Sequence, residues 1–176
     1  RRVDLISEGY TSHLKANDIE FGTAFHLCTK LTPSIGIGPA IQEAIAYFKN
    51  TKMLVKSKKE YMNTAYLVAA CMQWYAFYEK DEFKLLTKAD GSPMVETTFS
   101  YPFYSTEQTD VLCQGTIDKI CYNSQSRMLA IGDYKTTSMW DTQEYFRAYE
   151  LSAQLDFYTL FFTKLVANAS EDSPLY

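Results

Sequence analysis

The chain has 176 residues and a formal net charge of −4. A domain of that size buries about 70% of its unfolded surface and needs no disulfide staples. No apolar run approaches the roughly 18 residues of a membrane span, and no secretory signal is visible, so the sequence reads as cytoplasmic and free of the membrane. The acidic balance is the reverse of the basic footprint that phosphate binding usually leaves, although acidic metal ligands inflate a negative count and bound metals cancel it locally.

The first residue is Arg1 rather than Met, which reads as a piece of a longer chain. Residues 1 to 20 are polar and weakly periodic and predict a short helix and loop. A helix is expected from Phe21 through His26 to about Lys30, then a loop over Thr32 to Pro39. A second helix follows over roughly Ala40 to Phe48, with Pro39 in its first turn. Gly36-x-Gly38 lacks the further glycines and the lysine of a phosphate loop and reads as a turn. Lys49, Lys52, Lys56, Lys58 and Lys59 crowd together. A solvated helix face and a DNA-tracking patch explain them equally well. Residues 58 to 80 carry a helical stripe of Tyr61, Ala65, Val68, Ala69, Met72, Tyr75 and Ala76, which we read as core.

After the turn Asp90-Gly91-Ser92-Pro93 the hydrophobic period becomes two. Met94 to Tyr101, Asp110 to Cys121 and Met128 to Lys135 are expected as strands, the last two joined through Asn123-Ser124-Gln125-Ser126. Tyr101-Pro102-Phe103-Tyr104 reads as a hydrophobic hairpin cap, with stacking on bases at a DNA end as the functional alternative. A final helix is expected from about Thr142 to Ala167, with Leu151, Leu155, Tyr158, Phe162 and Leu165 on its apolar face. Helices, then strands, then a helix give one α+β (mixed α/β) domain. Its small central sheet is mostly antiparallel or mixed and flanked by helices. The four cysteines, at positions 28, 71, 113 and 121, form no C-x-x-C pair. Zinc ribbons and iron–sulfur clusters usually show tight pairs, so no cluster is expected and buried free thiols are the better reading.

The chemistry concentrates between Gly115 and Tyr158. Asp118 sits on one expected strand, and Asp133 and Lys135 sit two apart on the next. Residues two apart on a strand share a face, and a hairpin would bring Asp118 beside them. Two carboxylates and an ammonium at one point suit a divalent metal and an activated water, which suggests phosphodiester hydrolysis. Each piece has a plain alternative: Asp118 as a surface acid paired with Lys119, and Asp133-x-Lys135 as a chance edge-strand triplet. Together they gain weight, because two acids close in space repel unless a cation joins them. The Tyr134 carbonyl would offer a further oxygen. Gln154 and Tyr158 are i and i+4 and share a helix face, so the Tyr158 ring can lie in the core while its hydroxyl reaches the site.

Gly115-x-x-Asp118 followed by Gly132-Asp133-Tyr134-Lys135-Thr136 resembles the PD-(D/E)XK nucleases. Gly22-x-x-x-His26 upstream and Gln154-x-x-x-Tyr158 downstream resemble the further elements of the RecB-like branch. The resemblance spans about residues 20 to 165 and implies a restriction-endonuclease-like core. It implies Asp118 and Asp133 as metal-binding carboxylates, with Asp where the family often has Glu at the second position. Lys135 would orient or deprotonate the attacking water, and Gln154 and Tyr158 would hydrogen-bond the active site or a DNA phosphate. His26 would lie at a second metal, and Glu96 matches an acid often found on the preceding strand, with a structural salt bridge as its plain alternative. The implied cofactors are two Mg²⁺ or Mn²⁺ ions. The implied activity is a DNA exonuclease of phage or prophage recombination or of repair, acting on linear duplex ends. A single-strand annealing protein is an implied partner, and a homo-oligomer is compatible. The alternatives are a DNA-binding module of the same fold without catalysis, and an endonuclease of the superfamily.

Overall fold

The computed structural model describes residues 17–51, 62–137, 143, 145, 147 and 153–167. The chain divides into two compact units, Arg1–Lys80 and Asp81–Tyr176.

The first unit contains three helices, α1 (Asn17–Ile35), α2 (Ile37–Asn50) and α3 (Thr64–Tyr78). Helix α1 runs past the expected stop near Lys30. Thr32 donates its hydroxyl to the Cys28 carbonyl at 2.7 Å, and Pro33 lies close enough to the helix end that its missing N–H costs one terminal bond. The break falls instead at Gly36, with φ 82°, and α2 starts at once, with Pro39 in its first turn as expected. Asn63 caps α3 by accepting the Tyr66 N–H at 3.1 Å.

Small and aromatic side chains alternate in this core. Ala24, Cys28, Ala40, Ala44 and Cys71 are fully buried among Phe21, Phe25, Phe48 and Leu67. The Phe21 and Phe48 rings meet edge to face at 6.0 Å. Glu20 is buried, and its carboxylate accepts the Tyr47 hydroxyl at 2.7 Å. The inward face of α3 differs from the expected stripe. Leu67 and Cys71 point in, whereas Ala65, Ala69, Met72 and Ala76 are exposed. Apolar residues surround this helix, so periodicity alone did not select a face. Tyr61 lies outside the described residues. Cys28 and Cys71 are both free and buried. The hydrogen bond between them pushes Cys71 well above the usual thiol range and draws Cys28 down.

The second unit is an antiparallel sheet with a packed helix. Its strands are β1 (Lys84–Leu85), β2 (Val95–Ser105), β3 (Asp110–Asn123) and β4 (Met128–Gly132), followed by α4 (Ala153–Ala167). Among the described residues these strands all pair with β3: β1 at Leu85↔Cys121, β2 from Val95↔Lys119 to Ser105↔Asp110, and β4 from Asn123↔Met128 to Lys119↔Gly132. The α+β class is therefore as expected, and the described pairings are all antiparallel. The β3–β4 hairpin closes where the sequence placed it, with Asn123 Oδ1 accepting the N–H groups of Gln125 and Ser126 at 2.9 and 3.1 Å.

Tyr101-Pro102-Phe103-Tyr104 does not form the expected turn. It continues β2, and a register shift between Pro102 and Tyr104 absorbs the proline. The turn lies at Thr106–Thr109, closed by the Thr106 N–H on the Thr109 carbonyl at 2.9 Å. The two-residue β1 had no sequence signal.

The core of this unit is Met94, Phe99, Ile117 and Ile120, covered by Tyr158, Phe161 and Phe162 from α4. Phe161 stacks on Phe99 at 3.7 Å. Leu155, expected inward, is 41% exposed, whereas Tyr158 and Phe162 cover the core as expected, joined by Phe161; the Leu165 side chain lies outside the described residues. Leu151 and most of residues 138–152 lie outside the described residues. Gly115 lies under two of the packed rings. A Cβ there would stand 2.6 Å from Phe99 Cζ and 3.3 Å from Tyr158 Cε1. Phe99 is 6% exposed and already stacked, so it has little room to yield. Gly115→Ala is expected to lower stability by about 1–3 kcal/mol, measured by urea unfolding. An unchanged midpoint would mean that Phe99 repacks freely.

Candidate functional site

Asp118 stands within β3, and β2 passes beside it. Val95 pairs with Lys119 and Thr97 with Ile117, so the position between them, Glu96, faces Asp118. Acids at directly opposed positions repel. Glu96 also has φ 48°, a left-handed backbone that costs a non-glycine residue about 1–3 kcal/mol. Both carboxylates are half-buried. An acid held in a strained conformation against a second acid is a poor choice for folding alone. A cation between the two would convert the repulsion into attraction.

Asp133, Tyr134 and Lys135 lie just beyond the last residue of β4, Gly132, rather than within the strand as expected. Hydrogen bonds take over from the ladder. The Tyr134 N–H donates to Asp118 Oδ2 at 2.6 Å, a charge-assisted bond that ties this segment to β3. Sequence reasoning looked to the Tyr134 carbonyl and missed its N–H, because side chain–backbone bonds leave no spacing signature.

Lys135 reaches both oxygens of Asp133, at 2.8 and 2.6 Å. The Asp133 side chain is only 8% exposed, that of Lys135 30%. The side-by-side placement expected from alternation therefore holds without a regular strand. Gln154 Nε2 lies 3.5 Å from Asp133 Oδ1 and donates to the Tyr158 hydroxyl at 2.8 Å. The Tyr158 ring meets Phe99 edge to face at 6.0 Å. Its ring joins the core and its hydroxyl joins the polar chain. One hydrogen-bonded line thus runs from Lys135 through Asp133 and Gln154 to Tyr158, anchored below on Phe99.

The back of the segment is also organised. Lys119 stands opposite Gly132, and its ammonium lies 5.2 Å from the centre of the Tyr134 ring and 3.4 Å from Asp81 Oδ2. Burial opposes the charge on Lys119, but its neighbours Tyr134, Cys121 and Asp81 outweigh it and raise its pKa. Burial pushes the Cys121 thiol up. Lys119 was considered in the sequence only as a plain partner for Asp118. The structure pairs it with Asp81 and Tyr134.

His26 lies within α1 of the first unit, half-buried, its ring 6.4 Å from that of Phe25. Of the lysine run, Lys49 is exposed on α2, and Lys52 to Lys59 lie outside the described residues.

The donors near Asp118 suit a hard cation. Carboxylate oxygens of Glu96 and Asp118 lie within 4.8 Å of one another, and carboxylate oxygen is the ligand type that Mg²⁺ and Mn²⁺ prefer. An ionised carboxylate has about four lone-pair positions, so accepting an N–H bond does not stop it from binding a metal. No family model, curated protein or solved structure matches this chain.

Proposed function

We propose that this chain is a metal-dependent deoxyribonuclease that hydrolyses phosphodiester bonds, acting as an exonuclease on the ends of linear duplex DNA. The observation that carries the reading is the tie between Asp118 and the Asp133-Tyr134-Lys135 segment, with Lys135 held against Asp133. The bond ties the segment that bears Asp133 and Lys135 to β3 at Asp118, the position opposite Glu96. Asp118 and Asp133 would hold Mg²⁺ or Mn²⁺, with Glu96 and the Tyr134 carbonyl as further oxygen donors and His26 assigned to a second ion by the resemblance. The metal would supply a water of lowered pKa and neutralise phosphate charge.

The chain's own residues do the rest. Lys135, an ammonium in its pairing with Asp133, exchanges part of that pairing for the attacking water and orients it. Gln154 fixes Asp133 from α4 and leaves the Tyr158 hydroxyl able to donate to a phosphate oxygen. The acidic balance of the chain is consistent with carboxylates that work with bound cations. Recombination or repair in a phage or prophage setting, beside a single-strand annealing protein, is the biological role that fits an exonuclease of this kind.

One observation favours a second reading. Lys135 grips both oxygens of Asp133, which is also how a purely structural salt bridge looks, so a DNA-binding module without catalysis would carry the same contact. Linear and closed circular plasmid, each with Mg²⁺ and with EDTA, separate the readings. The exonuclease reading predicts loss of the linear form alone, and only with Mg²⁺. Cutting of the circle indicates an endonuclease, and no metal-dependent loss of either form favours the non-catalytic module.

A further inference from the structure

We infer that Lys119 is a positioning residue that clamps the Asp133-Tyr134-Lys135 segment from behind, and so sets how Asp118 and Asp133 face one another. The inference rests on the metal-site reading above for its consequence, but the clamp itself stands on geometry. Lys119 is on β3, next to Asp118, and strand alternation sends its side chain to the other side of the strand.

Three contacts then define its path. Its stem lies across Gly132, where an added Cβ would run into Cγ, Cδ and Cε of Lys119. Its ammonium sits over the Tyr134 ring at 5.2 Å, within cation–π range. Asp81 holds the same ammonium from the far side at 3.4 Å. Tyr134 is thus gripped twice. Its ring is held by Lys119, and its N–H by the carboxylate of the preceding residue, Asp118. Adjacent residues of one strand therefore grip both sides of the segment that bears Asp133 and Lys135.

The grip is electrostatic rather than steric. Lys119 borders a cavity of ≈ 180 Å³ that is also lined by Asp81, Phe83, Cys121, Ala130, Ile131 and Gly132. Packing alone would let the chain swing into that space, so the charge keeps it over Tyr134. The same space admits a larger cation. Arginine stacks on aromatic rings and pairs with carboxylates, so it should replace Lys119, whereas methionine keeps the stem and loses the charge.

The test uses the full chain with Lys119→Met and Lys119→Arg. Amide hydrogen exchange of Tyr134 reads the clamp, and Mn²⁺ titration by electron paramagnetic resonance reads its consequence. Lys119→Met should speed exchange of the Tyr134 amide about tenfold and weaken Mn²⁺ binding several-fold. The core amides of Ile117 and Ile120 should stay as in the parent, and Lys119→Arg should restore both values. Tyr134 exchange within twofold of the parent in Lys119→Met overturns the inference, and so does an equal acceleration of the core amides, which would mark a general loss of stability. If Lys119→Met does not fold, Tyr134→Leu removes the ring from the other side and keeps the N–H. It should give the same local acceleration at residue 134, and its absence overturns the clamp. A parent that binds no Mn²⁺ removes the metal-site reading, while the exchange measurement still decides the clamp.

Discussion

Asp118→Ala is expected to abolish metal-dependent cleavage, weaken divalent-metal binding and lower stability. These three losses arise from two jobs on one side chain. As the proposed ligand, Asp118 would supply negative charge to the cation. As a staple, it accepts the Tyr134 N–H at 2.6 Å. Alanine removes both, and a part-buried N–H left without its partner costs about 1–3 kcal/mol. Asp118→Asn separates the jobs. Its side-chain carbonyl can still accept the N–H, but the charge is gone. Asparagine should therefore lose metal binding and cleavage as alanine does, while its urea midpoint stays near that of the parent. Mn²⁺ titration and urea unfolding of both variants check this. Equal destabilisation by the two substitutions would show that the staple depends on charge. Unchanged Mn²⁺ affinity in both would remove Asp118 from the metal site.

Lys135→Ala is expected to lower the turnover rate on linear duplex by ~10² to 10⁴, the usual loss for a general base or water-orienting group. Binding of DNA should survive, because the metals and other cations hold the phosphates. The expected effect on metal affinity has the opposite sign to that of Asp118→Asn. Lys135 engages both oxygens of Asp133, so it competes with a cation for them. Its removal should leave Mn²⁺ affinity unchanged or tighter. Single-turnover cleavage of an end-labelled duplex gives the rate, and gel shift in Ca²⁺ gives the binding. A rate within about a factor of two of the parent, far inside the expected general-base loss, would exclude Lys135 from the chemistry and favour the non-catalytic module.

Much of the second unit was legible in the sequence because its signals are local. Alternation located β3 and the start of β2, and the Asn123 to Ser126 loop joined the hairpin that aligns Lys119 with Gly132. The i, i+4 spacing of Gln154 and Tyr158 placed both on one helix face, and their side chains do meet. Other features were hidden for physical reasons. Tyr101 to Tyr104 has turn-like proline beside aromatics, yet a bulge lets the strand accommodate Pro102. The glycines of Gly115-x-x-Asp118 and Gly132-Asp133 gave a motif but no reason. The reason is tertiary: Phe99 and Tyr158 press on one, and the Lys119 stem on the other. The left-handed backbone at Glu96 has no residue-type signature, since strand propensity says nothing of φ at one position. In the first unit, α3 is apolar on nearly every side, so its inward face was decided by packing against α1 and α2 rather than by period.

The proposed activity depends on Asp118 and Asp133 sharing one divalent cation. An anomalous difference map from a crystal grown with Mn²⁺ tests it most directly. The account predicts a peak ~2.1 Å from carboxylate oxygens of both residues, absent from a crystal of Asp118→Asn. A map with Mn²⁺ at other sites and none shared by Asp118 and Asp133 would contradict it.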